Sequence, residues 1–318
     1  MACSRNDGGC YRIAGGSPAQ RIGPYMFFLA MIVSSFSPLR SQSTEERDAT
    51  GDATGVRVLS YNIRYLNDHD GDDVWENRRT AVIDTILRAD IVGLQEVVLE
   101  QLEDIEQGTQ AASFDWYGVG RNDGRQQGEM TAIGWRSDRI EVLDRGTFWL
   151  SPTPERPGSR GWDAALPRIA SWVRARPVGG PEFFFLNTHF DHQGKEARRQ
   201  SAMLLKQWIV ERSAQHPVMV TGDFNSLLTE PPMQVLLSDA QLMVHARDVA
   251  RVPDPGPDST WNGFRQIEPG RRIDFLLVTP SLRVQAFRTL DPRTPQGRFA
   301  SDHLPLWALV ILEPPVEN

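Results

Sequence analysis

Short apolar segments with strand character recur along residues 56–312, and most of them stop at a polar side chain. The first, VRVLSYNI, alternates in polarity and is rich in β-branched residues, which is typical of a β-strand. Apolar residues at helical spacing predict helices over Asn77–Ala89 and Lys195–Ala214. Strands outnumber helices, and many pair with near neighbours. The pattern therefore predicts an α/β fold with two packed β-sheets flanked by helices.

The N-terminal 42 residues have the features of a targeting segment. Arginines precede the apolar run Tyr25–Phe36, which is short for a membrane span but suits the hydrophobic region of a signal peptide. We expect an exported protein, periplasmic or secreted, with no transmembrane helix in its mature form; a disordered tail with an apolar patch is the alternative. The predicted boundaries are a signal peptide over 1–42, a polar linker over 43–55 and a folded domain over 56–318.

Cysteine content and charge exclude several classes of protein. Both cysteines, Cys3 and Cys10, lie in the targeting segment, so the folded domain has neither a disulfide framework nor a thiolate metal site. The formal net charge is −7. Tight nonspecific binding to nucleic acid depends on neutralising phosphates with Lys and Arg, which an acidic domain does not favour.

The polar groups at the strand ends are acids, amides and imidazoles. Taken singly, each is better explained as a turn residue or a cap, but six such ends are harder to explain by turns alone, and rigid sheets often carry functional groups at their ends. Carboxylate oxygens suit Mg²⁺, and in a domain without cysteine and with few histidines Mg²⁺ or Mn²⁺ fits better than zinc or copper. Such a metal can polarise a phosphoryl oxygen while an Asp takes a proton from water. The set therefore indicates phosphoryl transfer.

The order of these groups along the chain resembles a known superfamily. The motifs are SYNIR, GLQEV, NTHFDH, GDFN, IDFLLV and SDHLPL. They are similar to those of the endonuclease/exonuclease/phosphatase superfamily, which includes deoxyribonuclease-like, abasic-endonuclease-like and sphingomyelinase-like enzymes. The resemblance implies a four-layer α/β sandwich with two mainly antiparallel β-sheets packed face to face and helices outside. It also implies a catalytic domain over residues 56–318, with the active site where the strand ends converge.

The resemblance implies a metal site at one side of these strand ends. Glu96 would be a direct ligand, with Asn62 and Asp302 beside it. Some members carry an acid two residues after the first Asn, where this chain has Arg64. Fewer carboxylates favour one Mg²⁺ ion, with Mn²⁺ as a substitute.

The resemblance also assigns roles to the catalytic groups. Asp223 would be the base or water-positioning group, and Asn225 its partner in the transition state. Asp274 would orient His303, and His189 would contact the phosphate.

Two further stretches, Tyr117–Arg136 and Gly161–Trp172, resemble an exported bacterial branch described only as metal-dependent hydrolases. Arg121 suits bidentate contact with a phosphate, although a surface arginine in a loop would look the same. Glu129 either reaches the site or caps a strand edge. The other candidate substrate contacts are Trp162, Arg168, Asp191, His192 and Trp261.

The favoured function is that of an exported, Mg²⁺-dependent phosphoesterase hydrolysing a phosphodiester or phosphomonoester. The acidic domain favours a small substrate over a long nucleic acid. One alternative is a nuclease acting on single strands, with Trp162, Trp261 and Arg121 stacking on and clamping the bases. A second alternative is a catalytically silent binding module on the same fold.

Overall fold

The computed structural model describes residues 54–313. The predicted signal peptide over 1–42 and nearly all of the linker lie outside the described residues. The strands are β1 Thr54–Asn62, β2 Ile91–Val97, β3 Phe114–Tyr117, β4 Met130–Arg136, β5 Ile140–Trp149, β6 Ile169–Pro177, β7 Phe183–His189, β8 Val218–Asp223, β9 Val244–His245, β10 Asp274–Val278, β11 Arg283–Thr289 and β12 Leu306–Leu312. The helices are α1 Trp75–Ile86, α2 Leu99–Thr109, α3 Lys195–Ser213, α4 Pro231–Leu237 and α5 Ala246–Val249.

The strands form two six-stranded sheets. The first has the order β11-β12-β1-β2-β4-β3, and the second has the order β5-β6-β7-β8-β10-β9. Within each sheet, one central pair is parallel, β1 with β2 and β7 with β8, and the other neighbours are antiparallel. The prediction of two mainly antiparallel sheets is confirmed.

Three groups of buried apolar side chains separate four layers. One lies between the two sheets, one between the first sheet and helices α1 and α2, and one between the second sheet and helices α3 and α4. Val58 and Phe185 belong to the group between the sheets, Ile86 and Ile105 to the group under α1 and α2, and Leu205 and Leu236 to the group under α3 and α4. The predicted four-layer α/β sandwich is therefore the observed architecture. Among the described helices, none is both long and apolar enough to cross a membrane.

The two sheets approach closely at a polar contact near the ends of the parallel strands. Gly93 in β2 faces Asn187 in β7 and Thr221 in β8. Gln95 Nε2 donates to Asn187 Oδ1 at 2.6 Å, and Asn187 Nδ2 donates to the carbonyls of Leu94 and Ala132. The contact joins the first sheet to the second just below the strand ends that carry the polar groups.

We expect Gly93→Ala to destabilise the fold by about 1–3 kcal/mol, because overpacking a tight interface forces neighbouring groups apart. An added Cβ would stand 2.3 Å from Thr221 Oγ1 and 2.7 Å from Asn187 Cγ. Chemical denaturation of both proteins measures the difference. Gly55→Ala in β1 is the matched control, because its Cβ would meet only flexible side-chain ends at 3.2 Å or more. An equal cost in both variants would contradict the close approach.

Candidate active site

The polar strand ends of both sheets meet at one edge of the sandwich. Asn62 ends β1, Asp223 ends β8, and His189 at the end of β7 is in register with Asp223. Asp274 opens β10 directly opposite Asp223. Asn62 Nδ2 donates to Glu96 Oε1 at 3.0 Å and to Asp223 Oδ2 at 3.0 Å, so one amide links the acids of the two sheets.

Unusual backbone conformations place several of these side chains. Glu96 has a φ of 64° and Asn225 a φ of 46°, both in the left-handed region that is costly for residues with a Cβ. The register of β2 against β4 shifts between Leu94 and Val97, and such a bulge re-aims the side chains within it. The strand thus turns Glu96 towards the site instead of continuing its alternation. Arg64, two residues after the end of β1, also has a left-handed backbone conformation, with a φ of 58°.

Asp223 lies at the centre of the cluster and is 1% exposed. Its Oδ1 accepts a bond from the Asn225 backbone N at 2.9 Å. Its Oδ2 is 3.4 Å from His189 Nε2 and 3.7 Å from His303 Nε2. Burial, followed by the charge of Asp274, raises the pKa of Asp223 to about 7. A carboxyl group with its pKa near neutrality suits proton transfer at physiological pH.

His303 and Asp274 form a buried ion pair beside Asp223. His303 Nδ1 is 2.8 Å from Asp274 Oδ2, and the ring of Trp261 meets the imidazole edge-on with centroids 4.9 Å apart. Burial lowers the pKa of His303, but the carboxylates of Asp274 and Asp223 outweigh it and raise the pKa to about 10. The imidazole is therefore protonated at neutral pH and directs its Nε2 towards Asp223.

His189, unlike His303, is neutral. Burial, with help from the charges of Arg168 and Arg121, lowers the pKa of His189 well below its ordinary value. Asn225 Nδ2 lies 3.1 Å from His189 Nε2 and donates to the Phe190 carbonyl at 3.2 Å. Because the amide nitrogen can only donate, His189 Nε2 accepts and its proton resides on Nδ1. A neutral and a charged imidazole thus stand on either side of Asp223.

The donor set fits a hard divalent cation. Glu96, His189 and Asp223 offer ligand atoms that lie within 4.8 Å of one another, and so do Asp223, Asp274 and His303. Burial, with the charge of Glu96 adding to it, raises the pKa of Asp302 to about 6. The pKa values of Asp223 and Asp302 are raised first by burial, and neighbouring carboxylates add to this while His303 lowers both. Oxygen ligands with excess negative charge are what Mg²⁺ and Mn²⁺ require.

The predicted metal ligands lie beside two further donor side chains. The sequence groups Glu96 with Asn62 and Asp302, and the structure adds His189 and Asp223 as acid or imidazole donors within 4.8 Å of Glu96. Asn62 turns its NH₂ group to the acids, and its Oδ1 accepts from the Arg64 backbone N at 3.0 Å. Among the described residues Asp302 belongs to neither of the two compact donor groups.

Arg64, the departure from the acidic pattern, does not enter the cluster. Its guanidinium makes two bonds of 2.9 Å to Asp70.

Arg78 is a supporting residue that the motifs did not reveal. This α1 residue is 1% exposed and donates to the carbonyls of Ile63, Arg64 and Ala300. It therefore ties the segment after Asn62 to the segment that leads into the Ser-Asp-His motif. The signal was present in the sequence, because the buried face of α1 is spaced three and four residues apart and Arg78 falls on it.

The predicted substrate contacts separate into two groups. Arg121 and Arg168 line a pocket with His189: Arg121 makes two bonds of 2.7 Å to Glu129, and Arg168 Nη2 is 3.0 Å from Nδ1 of the exposed His192. Glu129 Oε2 is 3.9 Å from His189 Nδ1, so Glu129 does reach the site.

Asp191 and Trp162 have other surroundings. Asp191 is 1% exposed, and its oxygens accept bonds from four backbone N–H groups, at residues 165, 166, 193 and 194. These bonds lower the pKa of Asp191 to about 2 despite its burial, and they fasten two loops together. Trp162 lines a groove along α3 with Met203 and Val210, and the structure does not bring it together with the catalytic side chains. The partners of both residues come from loop packing that the motifs do not encode.

Fold and site together define an α/β sandwich of the phosphoesterase type. The chain belongs to the endonuclease/exonuclease/phosphatase family, whose model matches residues 59–303. The motif resemblance read from the sequence is thereby confirmed.

Several solved structures share this architecture. An endonuclease/exonuclease/phosphatase from Bacteroides vulgatus is 38% identical over 82% of this chain and all of that chain, with a TM-score of 0.77. The mannosyl-6-phosphatase Bt3783 from Bacteroides thetaiotaomicron is 34% identical over 81% of this chain and all of that chain, with a TM-score of 0.76. The human nocturnin catalytic domain, at 19% identity, 85% and 98% coverage and a TM-score of 0.63, shares the fold. A search of curated proteins found no match.

Proposed function

We propose that this protein is an exported, Mg²⁺-dependent phosphoric ester hydrolase. The observation that carries the proposal is the position of Asp223, a buried carboxylate held between the neutral His189 and the charged pair of His303 with Asp274. A carboxyl group with a near-neutral pKa beside a positive imidazole suits attack of water on a phosphate. The family membership supports the same reaction class.

Each catalytic side chain has a separate role in the proposed hydrolysis. The water oxygen forms a bond to phosphorus while the bond from phosphorus to the leaving oxygen breaks, and Asp223 accepts the proton of the water. His303, kept protonated by Asp274, stabilises the negative charge that develops on the phosphoryl oxygens. His189 stands beside the same space, with its Nε2 3.4 Å from Asp223 Oδ2 and Asn225 holding the ring. None of these groups has to move far, because each is fixed by a hydrogen bond.

A divalent cation belongs on the Glu96 side of the cluster. Glu96 would hold it with His189 or Asp223, and Asn62 and Asp302 stand next to them. When bound, Mg²⁺ or Mn²⁺ supplies positive charge to the phosphoryl group and the leaving oxygen.

A small phosphate ester is the proposed substrate. The net charge of −7 disfavours long nucleic acids, and the relative that is 34% identical is a mannosyl-6-phosphatase, which supports a phosphosugar as the first candidate. A nuclease acting on single strands is the alternative. Of the three side chains that this alternative would use to hold bases, Trp261 and Arg121 lie near the cluster, whereas Trp162 does not. The complete set of acids and imidazoles argues against a silent binding module.

A substrate screen of the mature protein with Mg²⁺ tests the proposal. The panel contains bis-nitrophenyl phosphate, nitrophenyl phosphate, phosphosugars, phospholipid head groups, and single-stranded DNA and RNA. We expect release of phosphate or nitrophenol from the small esters, with nucleic acids slower. A folded, metal-binding protein that hydrolyses none of them would favour the binding module.

Export predicts a mature N-terminus near residue 43 in the periplasmic or culture fraction.

A further inference from the structure

A layer of buried polar residues separates the catalytic side chains from the apolar core between the sheets. Alternate residues of a strand share a face, so the residue two positions before a catalytic group lies one level deeper on the same face. In β1, β7 and β8 that residue is polar and buried, and in β2 the corresponding position is a glycine: Ser60, Asn187, Thr221 and Gly93. Two positions deeper again, the same strands carry core residues: Val58, Phe185, Met219 and Ile91. The polar layer therefore lies under the site in both sheets.

Asn187 is the member of this layer that joins the two sheets. Its Oδ1 accepts from Gln95 Nε2 at 2.6 Å and from Thr221 Oγ1 at 3.2 Å. Its Nδ2 donates to the carbonyls of Leu94 at 2.7 Å and Ala132 at 3.0 Å. A side-chain amide has two donor hydrogens and two acceptor lone pairs, so all of its hydrogen-bonding positions are occupied. Three of the four partners belong to the first sheet, although Asn187 itself belongs to the second.

The two carbonyls that Asn187 binds lie at the bulge that turns Glu96. Leu94 and Ala132 are the last regular pair between β2 and β4 before the register shifts. Two residues later in β2, Glu96 adopts its left-handed conformation with a φ of 64°. Such a conformation persists only where the surrounding contacts impose it. Asn62 Nδ2 holds the carboxylate of Glu96 at 3.0 Å, whereas Asn187 holds the backbone that precedes it.

We propose that Asn187 is a positioning residue for the metal site, because it holds the bulge in the conformation that directs Glu96 into the cluster. This inference rests on the proposed function, in which Glu96 is a metal ligand. Asn187 lies two residues before His189, and its neighbour in register, Thr221, lies two residues before Asp223. One amide therefore fixes the acid of the first sheet relative to the donors of the second. Without it, the two bulge carbonyls lose a buried partner, which is costly, so the bulge relaxes and Glu96 leaves its position.

The test is the affinity for Mn²⁺ of Asn187→Leu, a substitution of similar size that removes all four hydrogen bonds. Free Mn²⁺ is measured by electron paramagnetic resonance as the metal-free protein is titrated, so the readout does not depend on hydrolysis. We expect binding at least about 10-fold weaker than in the wild type, because groups that hold a metal ligand contribute about 10–100-fold. Phe185→Leu is the matched control on the same face of β7, one level deeper in the core. It should lower the Tm but change the affinity by less than about twofold.

A double-mutant cycle separates an effect through Glu96 from a general loosening of the fold. Glu96→Gln alone removes the metal ligand. If Asn187 acts through that ligand, adding Asn187→Leu to Glu96→Gln should weaken Mn²⁺ binding by no more than about twofold further. Losses that add fully in the double variant would overturn the inference, and so would a folded Asn187→Leu protein that binds Mn²⁺ as tightly as the wild type.

A second variant, Asn187→Ser, keeps the inference testable if Asn187→Leu does not fold. Its shorter side chain leaves room for water at the two carbonyls, but water does not fix their position, so Mn²⁺ binding should still weaken at least about 5-fold. Wild-type affinity in folded Asn187→Ser would overturn the inference and leave the proposed function intact. A wild-type protein that binds no divalent cation would instead refute the metal dependence in the proposed function, and this inference with it.

Discussion

Asp223→Asn is expected to reduce phosphate release by about 10²–10⁴-fold, the usual contribution of a positioned general base. The substitution preserves the size of the side chain and one acceptor oxygen, but it removes the group that takes the proton from water. Steady-state release of phosphate or nitrophenol at saturating Mg²⁺ measures the loss. Because the base acts in the chemical step, kcat should fall far more than KM changes.

The same substitution should not weaken the fold at alkaline pH. The pKa of Asp223 is raised by burial from an ordinary value of 3.8 to about 7 in the folded protein. A raised carboxyl pKa favours the protonated form when folded, so in the metal-free wild type stability declines as pH rises from about 4 to 7. The neutral Asn variant lacks this decline, and at pH 8 its Tm should equal or exceed that of the wild type.

Asp115→Asn is the control for this prediction, because it makes the same change at an exposed carboxylate of β3. It should alter neither rate nor pH dependence. An Asp223→Asn protein that is folded and retains wild-type turnover would remove Asp223 from the mechanism.

The parts of the fold that the sequence predicts well are those specified locally. Polarity alternation, helical spacing and the motifs at strand ends depend on residues that are close in the chain. Asp223, Asp274 and His303 lie together because each is anchored at a strand end or just before a strand. Because a strand is rigid, the position of a residue at its end is largely fixed by the position of the strand in the sheet.

The parts that the sequence did not reveal depend on long-range packing. Asp191 follows a strand end like the other candidates, yet one of its oxygens is bound by two backbone N–H groups from a loop more than twenty residues earlier. Trp162 lies beside α3 because its loop is fastened there, with Asp163 accepting from the first turn of that helix. Motif order contains no information on which loop folds over which strand.

Removal of divalent metal should abolish activity, and Mg²⁺ or Mn²⁺ should restore it. Glu96 is the acid for which the structure offers the clearest reason to be a ligand: a strained backbone and a bulge aim it into the cluster. We expect Glu96→Gln to weaken Mg²⁺ binding at least about 100-fold, because even outer-shell partners of a metal site contribute 10–100-fold. Calorimetric titration of the metal-free protein measures this independently of catalysis. Glu100→Gln, on the exposed face of α2, is the matched control.

The titration should also show proton release. Burial raises the pKa of Asp223 to about 7 and that of Asp302 to about 6, so near pH 6.5 part of each carboxyl group is protonated before the metal binds. A cation beside them favours the ionised form and expels those protons. The observed heat should therefore vary with the ionisation enthalpy of the buffer at pH 6.5, and much less at pH 8.5. Binding without proton release at pH 6.5 would place the cation away from Asp223 and Asp302, and activity that survives chelation would contradict metal dependence itself.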